Sequence, residues 1–445
     1  MDEGEICSVA EGRKGRGQGG SNGGNREGSM RKESLSFQIQ GSTRIARNHK
    51  IVIHVDGDGG EDTDENSANE NTFVTIDGNK YDGVNVMEED KCIHERELFG
   101  NKDRDNGIIG VDRFGFNVRK SMDEDDLDSN RRGVLLSNWE VTHRKKKEAE
   151  RVKKWIKMMK RWNFTIEYRK EKLKCRIRKG VPDAVRGKVW MDLMHSEALK
   201  WRHSHPTQLL NVKVVDEKIL EDIEKDVDRT YPNHTLFACR ESSGQKSLRN
   251  VLTWYAALDP EIGYCQGMGF IAAMLLTYMT EEDAFYTLVA VLNRPAAPFR
   301  KMYSPDMLAT QRFLDVFGHL GRLYLPKIFS KFEKEGMHQS MFLTEWIMTI
   351  FTRNFSFEFV TRVWDIFLNE DSKILYRICL GLLKCIETEI LVADFETIMH
   401  TIRRIPQEVD IEEALQMCWS IPLQRRKINE LNKAFDDKKG VLEEH

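Results

Sequence analysis

The chain has 445 residues, 40 % hydrophobic and 31 % charged, and its 68 basic and 71 acidic residues leave a net charge of −3. That length allows two or three domains, and the near balance of charge gives no whole-chain argument for nucleic acid or an anionic membrane. Eight cysteines (Cys7, Cys92, Cys175, Cys239, Cys265, Cys379, Cys385 and Cys418) are scattered without a CxxC pair, which argues against a disulfide framework or a structural zinc site.

From Met1 to about Asn138 apolar residues are sparse, and Gly, Ser, Asn, Asp and Arg dominate. This composition predicts a long, largely disordered leader over residues 1–138, because it cannot bury enough apolar surface to offset chain entropy. The first residues, MDEGEICSVAEGRKGRG, have no apolar h-region and predict no secretory signal. Gly15–Gly20 fits GxGxxG formally but follows no strand and opens no helix, so dinucleotide binding is not expected there. A weak RNA contact through this Gly/Arg-rich patch stands as an alternative to a plain flexible tail, with no nucleic acid expected. The β-like stretches Lys50–Val55 and Asn71–Ile76 are short and isolated and do not predict a domain. An acidic block at Met122–Asp128 is followed by a basic one at Arg144–Arg161.

Residues 143–162, HRKKKEAERVKKWIKMMKRW, place Ala149, Val152, Trp155, Ile156, Met159 and Trp162 on one helical face, with Lys and Arg around the rest. Such a helix either docks on the folded domain or lies on an anionic membrane. Its Trp and Met content favours docking, and a peripheral membrane contact through 143–162 stays open.

Beyond residue 173 the pattern is that of many short helices. Asn211–Arg229 carries Val215, Ile219, Ile223 and Val227 four apart, and Pro232 prevents continuation. Ser247 offers a cap for the helix with Leu248, Val251, Leu252, Tyr255 and Leu258, which Asp259-Pro260 ends. A strongly apolar helix follows over Tyr264–Met279, and Thr280 caps the next, with Glu281, Glu282 and Asp283 in its first turn. Further helices are predicted at Ala309–Leu325, Met341–Phe351, Phe357–Leu368, Ile374–Val392 and Phe395–Ile405, then near Ile411–Cys418 and Gln424–Asp437. No apolar run lacking charge reaches the roughly 18–20 residues that span a bilayer. With no βαβ alternation and no internal repeat, the fold class is all-α.

The chain lacks a GxxxxGK[ST] loop, an HExxH, a GxSxG and a kinase signature set. It does hold polar groups at helix ends that core packing does not explain. In Ile223-Glu-Lys-Asp226-Val-Asp-Arg229, the carboxylate and the guanidinium are three apart, near a helix end. This is either a surface ion pair or an arginine steered towards an anion. In Gly263-Tyr264-Cys265-Gln266-Gly267-Met268-Gly269, Gln266 falls in the first turn of the apolar helix, where glycines let another backbone approach. It either satisfies helix-terminal groups or orients a water or a partner. Cys265 has no dedicated base beside it, which leaves it no nucleophilic role.

Gly180-Val-Pro182 ahead of Arg186-Gly-Lys-Val-Trp190, then IxxDxxR, then YCQG, resembles the ordered motif set of TBC domains, the GTPase-activating domains of Rab proteins. Glu282-x-Ala284-Phe285, the Trp346 segment and Arg362-Val-Trp364-Asp365-Ile-Phe agree with it. The resemblance covers about Lys174 to Ile405 and implies a basic helix at 139–172 ahead of a TBC domain at 173–437. It further implies an activator of vesicle-trafficking GTPases, with no reaction of its own, that inserts Arg229 and Gln266 as two catalytic fingers. Asp226, Tyr264 and Gly267 would support these, while Arg186, Trp190, Ile223, Trp364 and Asp365 would hold the fold. The partner would be a Rab-type GTPase in its GTP-bound form, carrying the GTP and Mg2+ itself, so no cofactor is implied for this chain. A cytoplasmic location, peripheral on endomembranes, would follow. One departure is Gly269, where the family commonly has Asn; a scaffold that binds without accelerating hydrolysis is the alternative this raises.

Overall fold

The computed structural model describes residues 36–38, 50–52, 75–76, 79–80, 108–119, 138–202, 205–208, 214–294, 299–370 and 372–440. The Gly15–Gly20 stretch, the acidic block at 122–128 and most of the leader expected to be disordered lie outside the described residues. Eighteen α-helices carry the fold among the described residues. The first are α1 (Asn138–Met159), α2 (Trp162–Tyr168) and α3 (Lys170–Arg178). Next come α4 (Asp183–Met194), α5 (Ser196–Arg202), α6 (Glu217–Arg229), α7 (Ser243–Leu258), α8 (Met268–Leu276) and α9 (Glu281–Leu292). The rest are α10 (Leu308–Tyr324), α11 (Pro326–Lys334), α12 (Ser340–Met348), α13 (Phe357–Glu370) and α14 (Lys373–Cys385), then α15 (Glu387–Val392), α16 (Phe395–Glu408), α17 (Ile411–Ser420) and α18 (Arg425–Lys439). None of the described helices is long and apolar enough to cross a membrane. No disulfide links the six described cysteines.

Side-chain caps set helix ends that periodicity leaves open. Helix α6 starts at Glu217 and not near Asn211, because Asp216 accepts from the Lys218 N–H at 2.8 Å. Helix α7 is capped by Ser242, which accepts from the Gln245 N–H at 3.2 Å, and not by Ser247. Ser247 lies inside α7 and donates instead to Glu281 at 2.6 Å, tying α7 to α9. Thr280 caps α9 as its spacing predicts, accepting from Asp283 at 3.3 Å. The predicted Ile374–Val392 helix divides into α14 and α15 where Ile386, at φ −106° and ψ 18°, leaves the helical region.

The core is centred on α13, where Phe359, Val363, Trp364, Ile366 and Phe367 are buried. Asp365 sits fully buried among them, and its carboxylate collects N–H donors from two distant motifs. The Val181 N–H reaches Oδ2 at 2.7 Å, while Trp190 Nε1 and Arg186 Nε reach Oδ1 at 2.8 and 3.2 Å. Arg186 also donates to the Val181 carbonyl and to the Tyr278 hydroxyl, and pairs with Asp183. A buried guanidinium is tolerated because every face of it is matched. Arg186, Trp190, Ile223, Trp364 and Asp365 are thus all interior.

The basic helix is docked. Trp155 and Met158 of α1 are buried, and Val152, Ile156, Met159 and Trp162 pack on the core. Ala149, expected on the same face, is exposed. Arg151 pins α1 by donating to the carbonyls of Gly180 at 2.7 Å and Lys179 at 3.1 Å. Lys146, Lys147, Lys153, Lys154 and Lys157 stay on the exposed side.

Strands precede the helices. β1 (Ser36–Gln38), β2 (Lys50–Val52), β3 (Thr75–Ile76) and β4 (Asn79–Lys80) form one antiparallel sheet in that order. The two β-like stretches are therefore not isolated: Ile51 stands opposite both Phe37 and Ile76. β5 (Ile108–Val111) and β6 (Asn117–Arg119) form a hairpin that packs on the helical domain, so disorder does not extend across residues 108–119. Its turn is tied by Asp112, whose carboxylate accepts from the N–H groups of Phe114 and Phe116, both at 2.9 Å. Phe114 is buried, and its carbonyl accepts from His234 Nε2 at 2.8 Å while His234 Nδ1 accepts from the Leu236 N–H at 3.1 Å.

Two consequences are measurable. Asp365→Ala strips the carboxylate from a buried guanidinium and should cost about 3–5 kcal/mol in equilibrium denaturation. His234 needs a neutral ring for both its bonds, and burial lowers its pKa from 6.5 to about 4. The unfolded ring takes a proton below pH 6.5 that the folded ring refuses, so this stability is complete above pH 6.5 and is lost as pH falls towards 4. Between pH 7 and pH 5, wild type should lose about 1–2 kcal/mol more than His234→Gln in parallel denaturation curves; equal losses would mean the ring is already charged in the fold.

Candidate functional site

The site is built where the C-terminus of α6 meets the segment leading into α8. Helix α6 buries Ile223 and Val227, and the same rotation carries Asp226 inward, leaving its side chain 3 % exposed. Arg229, one turn later, is the last residue of α6 and keeps half its side chain in solvent. The two form an ion pair. The Tyr264 hydroxyl donates to the other carboxylate oxygen of Asp226, so a buried charge has two donors. Thr230, buried just past the helix end, donates its hydroxyl to the Asp226 carbonyl at 2.6 Å. The outer face of α6 is held by Arg249 of α7, whose fork meets Glu224 at 2.6 and 2.7 Å.

Burial, and then the Asp226 carboxylate, push the Tyr264 phenol far above its usual range, which keeps it a hydrogen-bond donor. The same two causes raise the Cys265 thiol. At neutral pH it is not a thiolate, which removes the ionised form a nucleophile needs.

Gln266 is exposed, but not where its sequence context put it. It was expected in the first turn of a helix from Tyr264; α8 begins only at Met268, and Gln266 stands in the turn before it. The cause is Gly267, whose φ of 105° is closed to ordinary helix residues and makes it the N-cap. A Cβ there would also lie 3.1 Å from Thr349 Cγ2. Gly263, at φ 59°, closes the other end of the turn, and a Cβ on it would strike Ile219 Cδ1 of α6 at 2.7 Å. Both glycines therefore let the Tyr264–Gln266 turn lie against its neighbours.

Gly269 is buried in the first turn of α8. A Cβ there would lie 3.2 Å from Thr230 Oγ1 and 3.5 Å from the Tyr264 hydroxyl. The departure from the resembled motif thus bears on the hydroxyls around Asp226, on the anchoring side of the site. The position of Tyr231 was not visible in the sequence. It is buried two residues past Arg229, at a φ of 46° that ordinary residues avoid, and its hydroxyl donates to the Thr352 carbonyl at 2.5 Å. Pro232 after it signals only a helix stop in the sequence.

Chemically, the arrangement offers a half-exposed guanidinium on a buried anchor and, through Tyr264, a neighbouring turn with an exposed neutral amide. Among the described residues there is no cluster of His, Cys, Asp and Glu placed to hold a metal ion.

Comparison with known proteins agrees with this architecture. Residues 183–391 match the Rab-GTPase-TBC domain family, a span from the start of α4 into α15. The chain is 30 % identical over 284 residues to the human Ecotropic viral integration site 5 protein homolog, covering 63 % of this chain and 34 % of that protein. It is 34 % identical over 235 residues to mouse Carabin, covering 53 % of this chain and 52 % of the relative. It therefore spans between a third and about half of the length of these relatives. The fold is similar to the crystal structure of a Chlamydomonas flagellar RabGAP TBC domain, with a TM-score of 0.53 and 24 % identity over 70 % of this chain and 99 % of that one. By its motifs, its helical architecture and this match, the region 183–391 is that of a Rab-GTPase-TBC domain.

Proposed function

We propose that this protein activates GTP hydrolysis by a Rab-type small GTPase in its GTP-bound form, supplying Arg229 and Gln266 in trans. The observation that carries the reading is the pose of Arg229: half-exposed at a helix end, yet anchored by a buried carboxylate that Tyr264 also serves. A free arginine loses side-chain entropy on engaging a phosphate; one already held by Asp226 loses less. Its planar fork keeps spare N–H groups for phosphoryl oxygens while one edge stays on Asp226.

In this mechanism Arg229 neutralises the charge that builds on the γ-phosphoryl group and the bridging oxygen. Gln266 orients the attacking water through its neutral amide. GTP and Mg2+ sit on the GTPase, and the chain performs no reaction of its own. Regulation of vesicle traffic from the cytoplasmic side follows for such an activator. The exposed lysines of α1 add a surface suited to an anionic endomembrane. A second reading, a scaffold that binds a GTPase without accelerating it, draws on Gly269, which packs against the anchoring hydroxyls where the resembled motif has Asn.

Single-turnover hydrolysis across a panel of GTP-loaded Rab proteins tests the two readings. Wild type should accelerate one or a few of them. Arg229→Ala should lose most of that acceleration, about 10³-fold or more, and Arg229→Lys should recover little of it because it lacks the fork. Gln266→Ala should also cut the rate strongly, with helicity unchanged in all three. Binding without acceleration by wild type would leave the scaffold.

A further inference from the structure

The β5–β6 hairpin ends at Arg119, far ahead of the family match at residue 183, yet it reaches the segment that follows Arg229. Its backbone bonds converge there. The Asn117 N–H donates to the Asn233 carbonyl at 2.8 Å, and the Gly115 carbonyl accepts from the Thr235 N–H at 2.9 Å. His234 closes the set by donating to the Phe114 carbonyl. At the rim, Arg113 meets Glu358 at 2.7 Å.

The aromatic contacts converge on the same place. Phe116 meets Tyr231 edge-on at a centroid distance of 5.7 Å, His234 at 4.8 Å and Phe357 at 4.8 Å. Phe270 and Phe357 complete the cage around Tyr231 at 5.3 and 5.2 Å. Between residues 230 and 238, Tyr231 is also the residue whose backbone occupies the left-handed region. A side-chain-bearing residue persists there only when its surroundings over-determine it. One wall of its cage comes from the hairpin, as do two backbone bonds to residues 233–235 and the carbonyl that takes the His234 ring.

We propose that the hairpin 108–119 is a positioning element for Arg229, acting through residues 230–235. The hairpin fixes Tyr231 in its left-handed conformation, Tyr231 fixes the buried Thr230, and Thr230 closes the end of α6 over Asp226. The role rests on the reading of Arg229 as the finger. Phe116 is here a positioning residue and contacts neither nucleotide nor GTPase.

The test uses the full chain as wild type, Phe116→Ala, Phe116→Tyr and Arg229→Ala, with two measurements. Hydrogen–deuterium exchange on the chain alone should show Phe116→Ala accelerating amides at 230–238 while those of α7, α8 and α13 stay as in wild type. Single-turnover hydrolysis on a responsive Rab should show its saturating rate lowered by about 10- to 100-fold, the size expected when a catalytic group is slightly misplaced. The half-saturating concentration should barely move, and Phe116→Tyr should restore rate and protection together. An unchanged rate at saturation, or a higher half-saturating concentration alone, would overturn the positioning role in favour of a GTPase-docking surface. Unaltered exchange at 230–238, or faster exchange across the whole domain, would overturn it as well. Full activity in Arg229→Ala would instead remove the finger reading and, with it, this role for the hairpin.

Discussion

A carboxylate that has left water must be matched, and at Asp226 the matching organises the site. An ionised group buried without partners costs several kcal/mol, so a fold that places Asp226 inward must bring donors to it. It brings two, from different parts of the chain: Arg229 one turn along α6, and Tyr264 from the turn ahead of α8. Helix α6 and the YCQG turn are thereby held to one point. The constraint works in both directions, because Tyr264 keeps Asp226 matched if Arg229 shifts its hydrogen bonds towards a phosphate. The exposed partner of the pair is free to move, while the buried one is not left unsatisfied.

A second buried carboxylate, Asp365, does for the fold what Asp226 does for the site. It joins the chain before α4, the Arg186–Trp190 stretch of α4 and the centre of α13. The two differ in exposure, and exposure decides their use. Every donor on Asp365 is interior, so the network is confined to architecture. One donor on Asp226 faces solvent, so that pair can meet a ligand. The sequence offers an Arg near a carboxylate in both places, and only the environment separates a structural pair from a presented one.

The legible part of the molecule was the part with local signals. Ile219, Ile223 and Val227 made α6 visible, as Thr280 with its acidic turn made the start of α9 visible. Caps were harder, since Ser242 and Ser247 both precede apolar residues; the choice falls to Ser242 because Glu241, at φ 60°, turns the chain just before it. The sequence places Gln266 inside the helix because the apolar run from Tyr264 continues smoothly through Gly267, whose positive φ is a tertiary matter. The hairpin leaves almost no local signal. Phe114 and Phe116 are two apolar side chains in a polar stretch, and their partners at 231–235 and 357 are more than a hundred residues away. An Asp112 turn and the Ile108-Ile109-Gly110-Val111 run were the only local hints.

Long-range closure of this kind has an energetic reason. The segment after Arg229 contains a strained tyrosine, a proline and no helix, so it has few internal bonds with which to hold itself. Leaving it loose would let the last turn of α6 fray, since helix ends lack intrahelical partners for their final carbonyls. The fold supplies rigidity from outside: Thr352 takes the Tyr231 hydroxyl, Phe270 and Phe357 wall the ring, and the hairpin lends two backbone bonds and the carbonyl that accepts from His234. Arg229 sits at the boundary between this braced segment and solvent. On the proposed reading of Arg229, a group that must be exposed to reach a partner yet placed to within a fraction of an ångström needs its rigidity from the residues behind it, and residues 230–235 stand where they would supply it.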